Sequence, residues 1–181
     1  MRKRGWSGLL AAVGLCLGII SCAHVPTEPG ARADLKDAAA KTLAQFEAKD
    51  PSLRPLLDQA VGYVVFPAVG EGGFIIGGGA GSGVLYENGQ VTHFAEISQL
   101  AAGALAGGSR YSEIVVVNDK QTLEDMKGGR FDFGAKASAV IVRTGAATGA
   151  TFEKGVAVFV EPIKGAMVNA SIGGQKIRLS M

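Results

Sequence analysis

The stretch Phe74–Gly89, FIIGGGAGSGVLYENG, limits the fold more than any other part of the chain, because six glycines stand among residues that otherwise read as strand. Two structures tolerate such a run. One is a loop whose backbone cradles phosphates. The other is a strand that bends, bulges or lies close against another backbone. Spacing separates them. A dinucleotide fingerprint needs glycines at i, i+2 and i+5 between a strand and a helix. Counted from Gly77, Gly79 and Gly81, the third position is Ser82, Val84 and Tyr86. No Gly-Lys pair occurs, so there is no P-loop. Glu87-Asn88-Gly89 signals a hairpin turn, so no helix N-terminus follows to meet a phosphate. The glycines therefore read as residues of a tightly curved sheet, with a ligand-lining groove as the alternative use.

The flanking sequence agrees. Val61–Phe66 is a β-branched and aromatic strand that Pro67 is expected to stop. Phe74–Ile76 continues through the glycines to Tyr86, and Gln90–Ile97 returns antiparallel. Tyr111–Val117 reads as a buried strand, and further strands are expected at Phe131–Val142, Gly155–Val160, Ala166–Ile172 and Lys176–Leu179. Helical spacing appears in Asp34–Ala48, where Leu35, Ala38, Ala39, Leu43 and Phe46 share a face. Leu53–Gln59 suits a second short helix. Asn118-Asp119 can cap a third, ending at Gly128-Gly129. The expected class is α+β: mainly antiparallel β, a curved or barrel-like sheet, with an N-terminal helical segment and one short helix between strands.

The first residues set the compartment. Arg2, Lys3 and Arg4 precede the uncharged apolar run Leu9–Ile20, a secretory-signal shape too short to span a bilayer comfortably. Ile19-Ile20-Ser21-Cys22 resembles the bacterial lipobox. That resemblance implies cleavage before Cys22 and acylation of it; an ordinary signal peptide containing a cysteine is the alternative. Ala23, rather than Asp, after the cysteine implies sorting to the outer membrane, facing the periplasm. The division is then 1–21 signal peptide, 22–33 lipidated tether rich in Pro and Gly, and 34–181 a single folded domain.

Processing changes the charge. The chain has 18 Lys+Arg against 16 Asp+Glu, and loss of Arg2, Lys3 and Arg4 leaves 15 against 16, a net of −1. Nucleic acid is therefore not an expected partner. Cys16 leaves with the signal and Cys22 becomes a thioether, so no disulfide is expected. The bases are unevenly placed: residues 22–119 hold 6 bases and 11 acids, residues 120–181 hold 9 and 5. Lys136, Arg143, Lys154, Lys164, Lys176 and Arg178 are candidate anionic-headgroup ligands if the fold gathers them; otherwise they are a scattered, solvated set.

Catalytic patterns are incomplete. Neither Ser82, flanked two residues away by Ala80 and Val84, nor Ser109, which lacks the second glycine, completes a G-x-S-x-G elbow. His24 and His93 are the only histidines and have no ligand-spaced partners, so neither a metal nor another cofactor is expected. Glu71 and Glu96 can be written as a carboxylate pair, though solvent-facing strand ends are the commoner use of such residues. The chain is not expected to be an enzyme.

Several segments, in order, resemble one family. Ala60–Pro67 is similar to the "A-K-G-hydrophobic-FP" opening of the SYLF domain family, and Gly73–Gly78 and Gly81–Leu85 to its next two motifs. Ile114–Asn118 resembles its hydrophobic strand ending in Asn. Phe131–Ser138 resembles its "F-x-L-G-x-D-A-S" segment, with Lys136 where the family has Asp. Lys154–Val156 and Gly165-Ala166 resemble its closing stretch. The resemblance implies non-catalytic binding of membrane lipids, anionic or phosphoinositide-like. The competing expectation is a structural or assembly protein of the cell envelope that acts through a protein partner.

Overall fold

Gly62–Gly73 (β1) lies at the centre of the sheet, between Ile76–Glu87 (β2) and Gly107–Val117 (β4), antiparallel to both. The computed structural model describes residues 24–73, 76–102, 107–133, 139–164 and 174–181. At 72–73, 76–77, 100–102, 107–109, 132–133, 139 and 164 the description is of the backbone. Cys22, Lys136 and the expected strand Ala166–Ile172 lie outside the described residues.

Gln90–Ala102 (β3) follows β2 through a turn in which Asn88 and Gly89 have φ of 51° and 75°, the positive pair that an Asn-Gly hairpin supplies. The sheet is completed by Asp132–Phe133 (β5), Ala139–Ile141 (β6), Val156–Lys164 (β7) and Gln175–Ser180 (β8). Its order is β5-β8-β3-β2-β1-β4-β7-β6, with only the β6–β7 pair parallel among the described residues. It is open at β5 and β6 but strongly curled. Gln175 on β8 reaches Glu113 on β4 at 3.1 Å, although β3, β2 and β1 separate those strands in the sheet.

Alternation along each strand sorts the side chains to two faces. The inner face carries Val64, Phe66, Val69, Leu85, Ile97, Val115, Val158 and Ile177. The outer face carries Val65, Val84, Phe94, Ile114, Val116 and Phe159, covered by Pro29–Lys49 (α1) and Leu53–Gln59 (α2). Lys120–Lys127 (α3) plugs the inner face with Leu123 and Met126 near the Asn88-Gly89 end, where Lys127 pairs with Glu87 at 2.8 Å. Asp119 caps α3, its carboxylate accepting from the Thr122 N–H at 2.7 Å.

Three expectations need correction. Pro67 does not stop the first strand. It falls where the β1 register shifts against both neighbours, and a bulge removes the need for a proline N–H in the ladder. The expected tether is also shorter than the 22–33 read from composition. Helix α1 begins at Pro29, because proline is suited to a first helical turn, and Val25 is already buried. Finally, Phe131–Val142 is not one strand: β5 and β6 lie at opposite edges of the sheet.

The turn after β6 is held by a buried carboxylate. Asp50, at the end of α1, accepts from the backbone N–H of Gly145 at 3.0 Å and of Ala147 at 2.8 Å, and from Ser52. Burial pushes its carboxyl up, but the hydrogen bonds from Ser52, Ala147 and Gly145 outweigh that and hold it below the usual range. Asp50→Ala is expected to lower stability at pH 7 by about 2 kcal/mol, the worth of charge-assisted bonds left with buried donors. Because the folded-state acidity is increased, the loss should shrink as pH falls through the ordinary carboxylate range, which urea denaturation at pH 7 and pH 3.5 would measure.

Candidate functional site

Two places on the sheet carry polar groups in arrangements that packing alone does not require. The first is on the outer face, where the chain's N-terminal segment is fastened. The Ser82 hydroxyl donates to the His24 carbonyl at 3.2 Å, and the Arg32 Nε donates to the Pro26 carbonyl at 2.8 Å. Ser82, Glu96 and Arg178 are register neighbours across β2, β3 and β8. On the adjoining register pair, Phe94 and Ser180, the Arg32 guanidinium stands 4.5 Å and the Lys36 ammonium 5.4 Å from the centre of the Phe94 ring. Arg32 also donates to the Met181 carbonyl at 3.1 Å. Lys176 alternates with the inward Gln175 and Ile177, which places it on the same outer face as Arg178. The first turns of α1 and the outer side of β8 thus bring Arg32, Lys36, Lys176 and Arg178 to one flank, with Glu96 among them.

The candidate bases divide. Lys176 and Arg178 belong to this flank. Arg143 is exposed in the turn after β6, at the other edge of the sheet. Lys154 is exposed beside the start of α3, its carbonyl accepting from the Thr122 hydroxyl at 3.1 Å. The backbone of Lys164 pairs with Arg110 on β4. Arg32 and Lys36 were not legible as members of a site, since Arg32 sits in a stretch that reads as tether and Lys36 on a helix face that reads as solvated. Only the docking of α1 on β1 and β2 lets the Arg32 and Lys36 side chains reach Phe94 on β3 and so approach β8.

The second place is on the inner face, on the opposite side of the apolar layer from α3. The Gln99 amide donates to the Glu71 carboxylate and to the Tyr111 hydroxyl. Tyr111 donates to Glu71 at 3.3 Å. The Gln175 amide donates to the Gln99 carbonyl oxygen at 3.0 Å and to Glu113 Oε2 at 3.1 Å. Glu113 is fully buried, Gln175 and Tyr111 are 1% exposed, and Gln99 is 5% exposed. Burial, with Gln175 opposing it and the Glu71 charge adding to it, pushes the Glu113 carboxyl up to about 8. Burial and the neighbouring Glu113 and Glu71 charges push the Tyr111 hydroxyl far above its ordinary range. Glu113 Oε1 and Gln175 Oε1 are buried with no hydrogen-bond partner.

The β2 glycines explain how the cluster is seated. Gly79 lies directly beneath the Gln99 side chain, so a Cβ there would collide with the amide at 2.5 Å. Glu71 pairs with Gly79 and Gly79 with Gln99 across three adjacent strands, and the missing side chain lets the outer two residues meet. The carboxylate pair is thus Glu71 with Glu113. Glu96 belongs to the other face, since it alternates with the inward Ala95 and Ile97. Period-2 reading of Tyr111–Val117 contains the missing signal. Tyr111, Glu113, Val115 and Val117 share a face, and a carboxylate in that row must be buried.

The remaining chemistry is sparse. His93 is half-buried near Glu87, at 3.8 Å, as expected for a strand residue. Among the described residues, no three His, Cys, Asp or Glu side chains are grouped to hold a metal ion. A depression of about 160 Å³ beside the stacked Tyr63 and Tyr86 rings is smaller than a typical small-molecule site of roughly 300 Å³ or more. No helix among the described residues is long and apolar enough to cross a membrane. Neither a family model nor a curated protein matches the chain.

Proposed function

We propose that the chain is an acylated lipoprotein of the bacterial envelope, anchored through Cys22 to the outer membrane on its periplasmic side. Its SYLF-like domain binds anionic lipid headgroups without catalysis. The supporting observation is the fastening of the N-terminal segment. His24 is hydrogen-bonded to Ser82 beside Glu96 and Arg178, and Val25 is buried. Cys22 is two residues earlier, at most about 7 Å of extended chain. An anchor emerging there turns the flank of Arg32, Lys36, Lys176 and Arg178 toward the bilayer. Each base near an anionic surface contributes roughly 1 kcal/mol.

Vesicle flotation of residues 24–181, which include every described element, tests this reading. Binding is expected with phosphatidylglycerol or cardiolipin and not with phosphatidylcholine alone, and it should weaken in high salt. Replacing Lys36, Lys176 and Arg178 together by Gln should reduce it by about 100-fold, at roughly 1 kcal/mol for each base. Replacing Arg143 and Lys154 should have the smaller effect. An equal loss from both sets would overturn the flank assignment. Absence of flotation on every lipid would favour an envelope-assembly role through a protein partner.

A further inference from the structure

The stacked tyrosines border a depression at the hairpin end of the outer face. Tyr63 on β1 and Tyr86 on β2 are register partners, with ring centroids 5.1 Å apart and planes 14° from parallel. Rings that close leave no gap for a third between them. Beside them, α2 supplies Arg54, Leu57 and Asp58, and the hairpin turn supplies Asn88, around a space of about 160 Å³. A cavity of about 150 Å³ accepts one benzene-sized ring. The space therefore excludes a nucleotide or a larger cofactor and fits a single six-membered ring.

The lining selects the chemistry of that ring. The Arg54 guanidinium is 3.0 Å from the Asp58 carboxylate and 3.5 Å from Glu47, so its charge is already met and the depression favours neither an anion nor a cation. Tyr63 and Tyr86 are each 8% exposed, and among the described residues neither hydroxyl has a partner in the chain or is sealed from the surface. Burial pushes both phenols above their ordinary range, so they stay protonated. Arginine only donates hydrogen bonds, an ionised aspartate only accepts, and tyrosine and asparagine do both. A ring that suits all of them must donate and accept around its rim, while its faces meet Leu57 and the tyrosine carbons. A pyranose sugar does so, since each hydroxyl is both donor and acceptor and the ring carbons are apolar.

We propose that this depression is a binding site for one neutral pyranose ring, held by the Tyr63 and Tyr86 hydroxyls, Arg54, Asp58 and Asn88. The source is either the sugar of a glycolipid or a free sugar. The site goes beyond the basic flank and does not depend on it: Tyr63 lies on β1 and Arg178 on β8, with β2 and β3 between them, and the ligand carries no charge.

The test is an amide NMR titration of residues 24–181 with glucose and with cyclohexanol, a ring of the same size bearing one hydroxyl. Glucose should shift Asp58, Tyr63 and Asn88 together and saturate at roughly millimolar concentration, the affinity expected of about twelve heavy atoms. Cyclohexanol should bind about tenfold more weakly or worse, the worth of at least one hydrogen bond. Replacing Tyr63 and Tyr86 together by Phe keeps the stacked rings and should weaken glucose by about tenfold. Flotation on phosphatidylcholine vesicles that contain a glucosyl diacylglycerol supports a lipid-borne source, and glucose binding without flotation supports a soluble one. Equal affinity for glucose and cyclohexanol, or no saturable shift at these residues, would overturn the site even if the double variant failed to fold. Unchanged glucose affinity in a folded double variant would overturn it as well.

Discussion

Replacing Gly83 by alanine should lower the unfolding free energy by on the order of 3 kcal/mol, the largest effect expected of a single added methyl group in this chain. Gly83 is on β2 where β1 bulges at Pro67, and the two backbones approach there more closely than side chains permit. A Cβ at 83 would fall on the Val65 carbonyl oxygen and within 2.6 Å of the Phe66 ring. Neither neighbour can swing away, because Val65 is in the ladders to both β2 and β4, and Phe66 is fully buried in the inner core. Relief requires a shift of β1, and the inner apolar layer moves with it. The control is Gly70→Ala on β1, where an added Cβ meets nothing within 4 Å. That change should be neutral or stabilising by a few tenths of a kcal/mol, since alanine narrows the unfolded ensemble. Denaturant midpoints of the two variants decide it. A loss below about 1 kcal/mol for Gly83→Ala would mean that β1 is not held as tightly as the packing implies.

The second large effect is a gain. Glu113→Gln should make the protein more stable at neutral pH, and the gain should grow with pH. Burial, opposed by Gln175 and reinforced by the Glu71 charge, raises the folded-state pKa of Glu113 to about 8. The folded chain therefore keeps a proton that the unfolded chain releases in the ordinary carboxylate range. Stability from this group is fully present below the unfolded pKa and is lost as pH rises through the folded value. A glutamine cannot ionise, still accepts from the Gln175 amide, and offers an N–H to the orphaned oxygen of Gln175. The two proteins should be close at pH 4.5 and differ by on the order of 3 kcal/mol near pH 7. Thermal melts at pH 4.5, 6 and 7.5 would show the divergence. Parallel pH profiles would place the charge of Glu113 in water.

Much of the fold can be read locally, for a physical reason. Asn88-Gly89 supplies the positive φ pair that only a few residue types accept, so the hairpin follows from two letters. Asp119 caps α3 through a bond three residues long, and Gly128 ends it, so that helix is equally legible. The β2 glycines are strand residues rather than a phosphate loop, because no spacing among them can build one. Pro29 and Pro67 mislead for one shared reason: proline's local meaning depends on its partners. In a first helical turn, or at a bulge, the missing N–H is no loss, and which case applies is settled by the neighbouring strand or helix.

The sites are a different matter. Glu71, Gln99, Tyr111, Glu113 and Gln175 are spread over more than one hundred positions and form one cluster only because the sheet curls until β8 faces β4. Arg32 and Arg178 reach the same flank only because α1 packs on the outer face so that the Arg32 side chain extends over Phe94 of β3. Sequence by itself determined the presence of the central strands, the hairpin, the α3 cap and the rejection of a phosphate loop, all set by contacts within a few residues; it did not determine that Pro67 lies inside β1 or that Phe131–Val142 divides into two strands. Tertiary structure alone decided which carboxylates meet, which bases gather and which oxygens stay without a partner. Those depend on sheet curvature, a property of many strands packed together and not of any one of them.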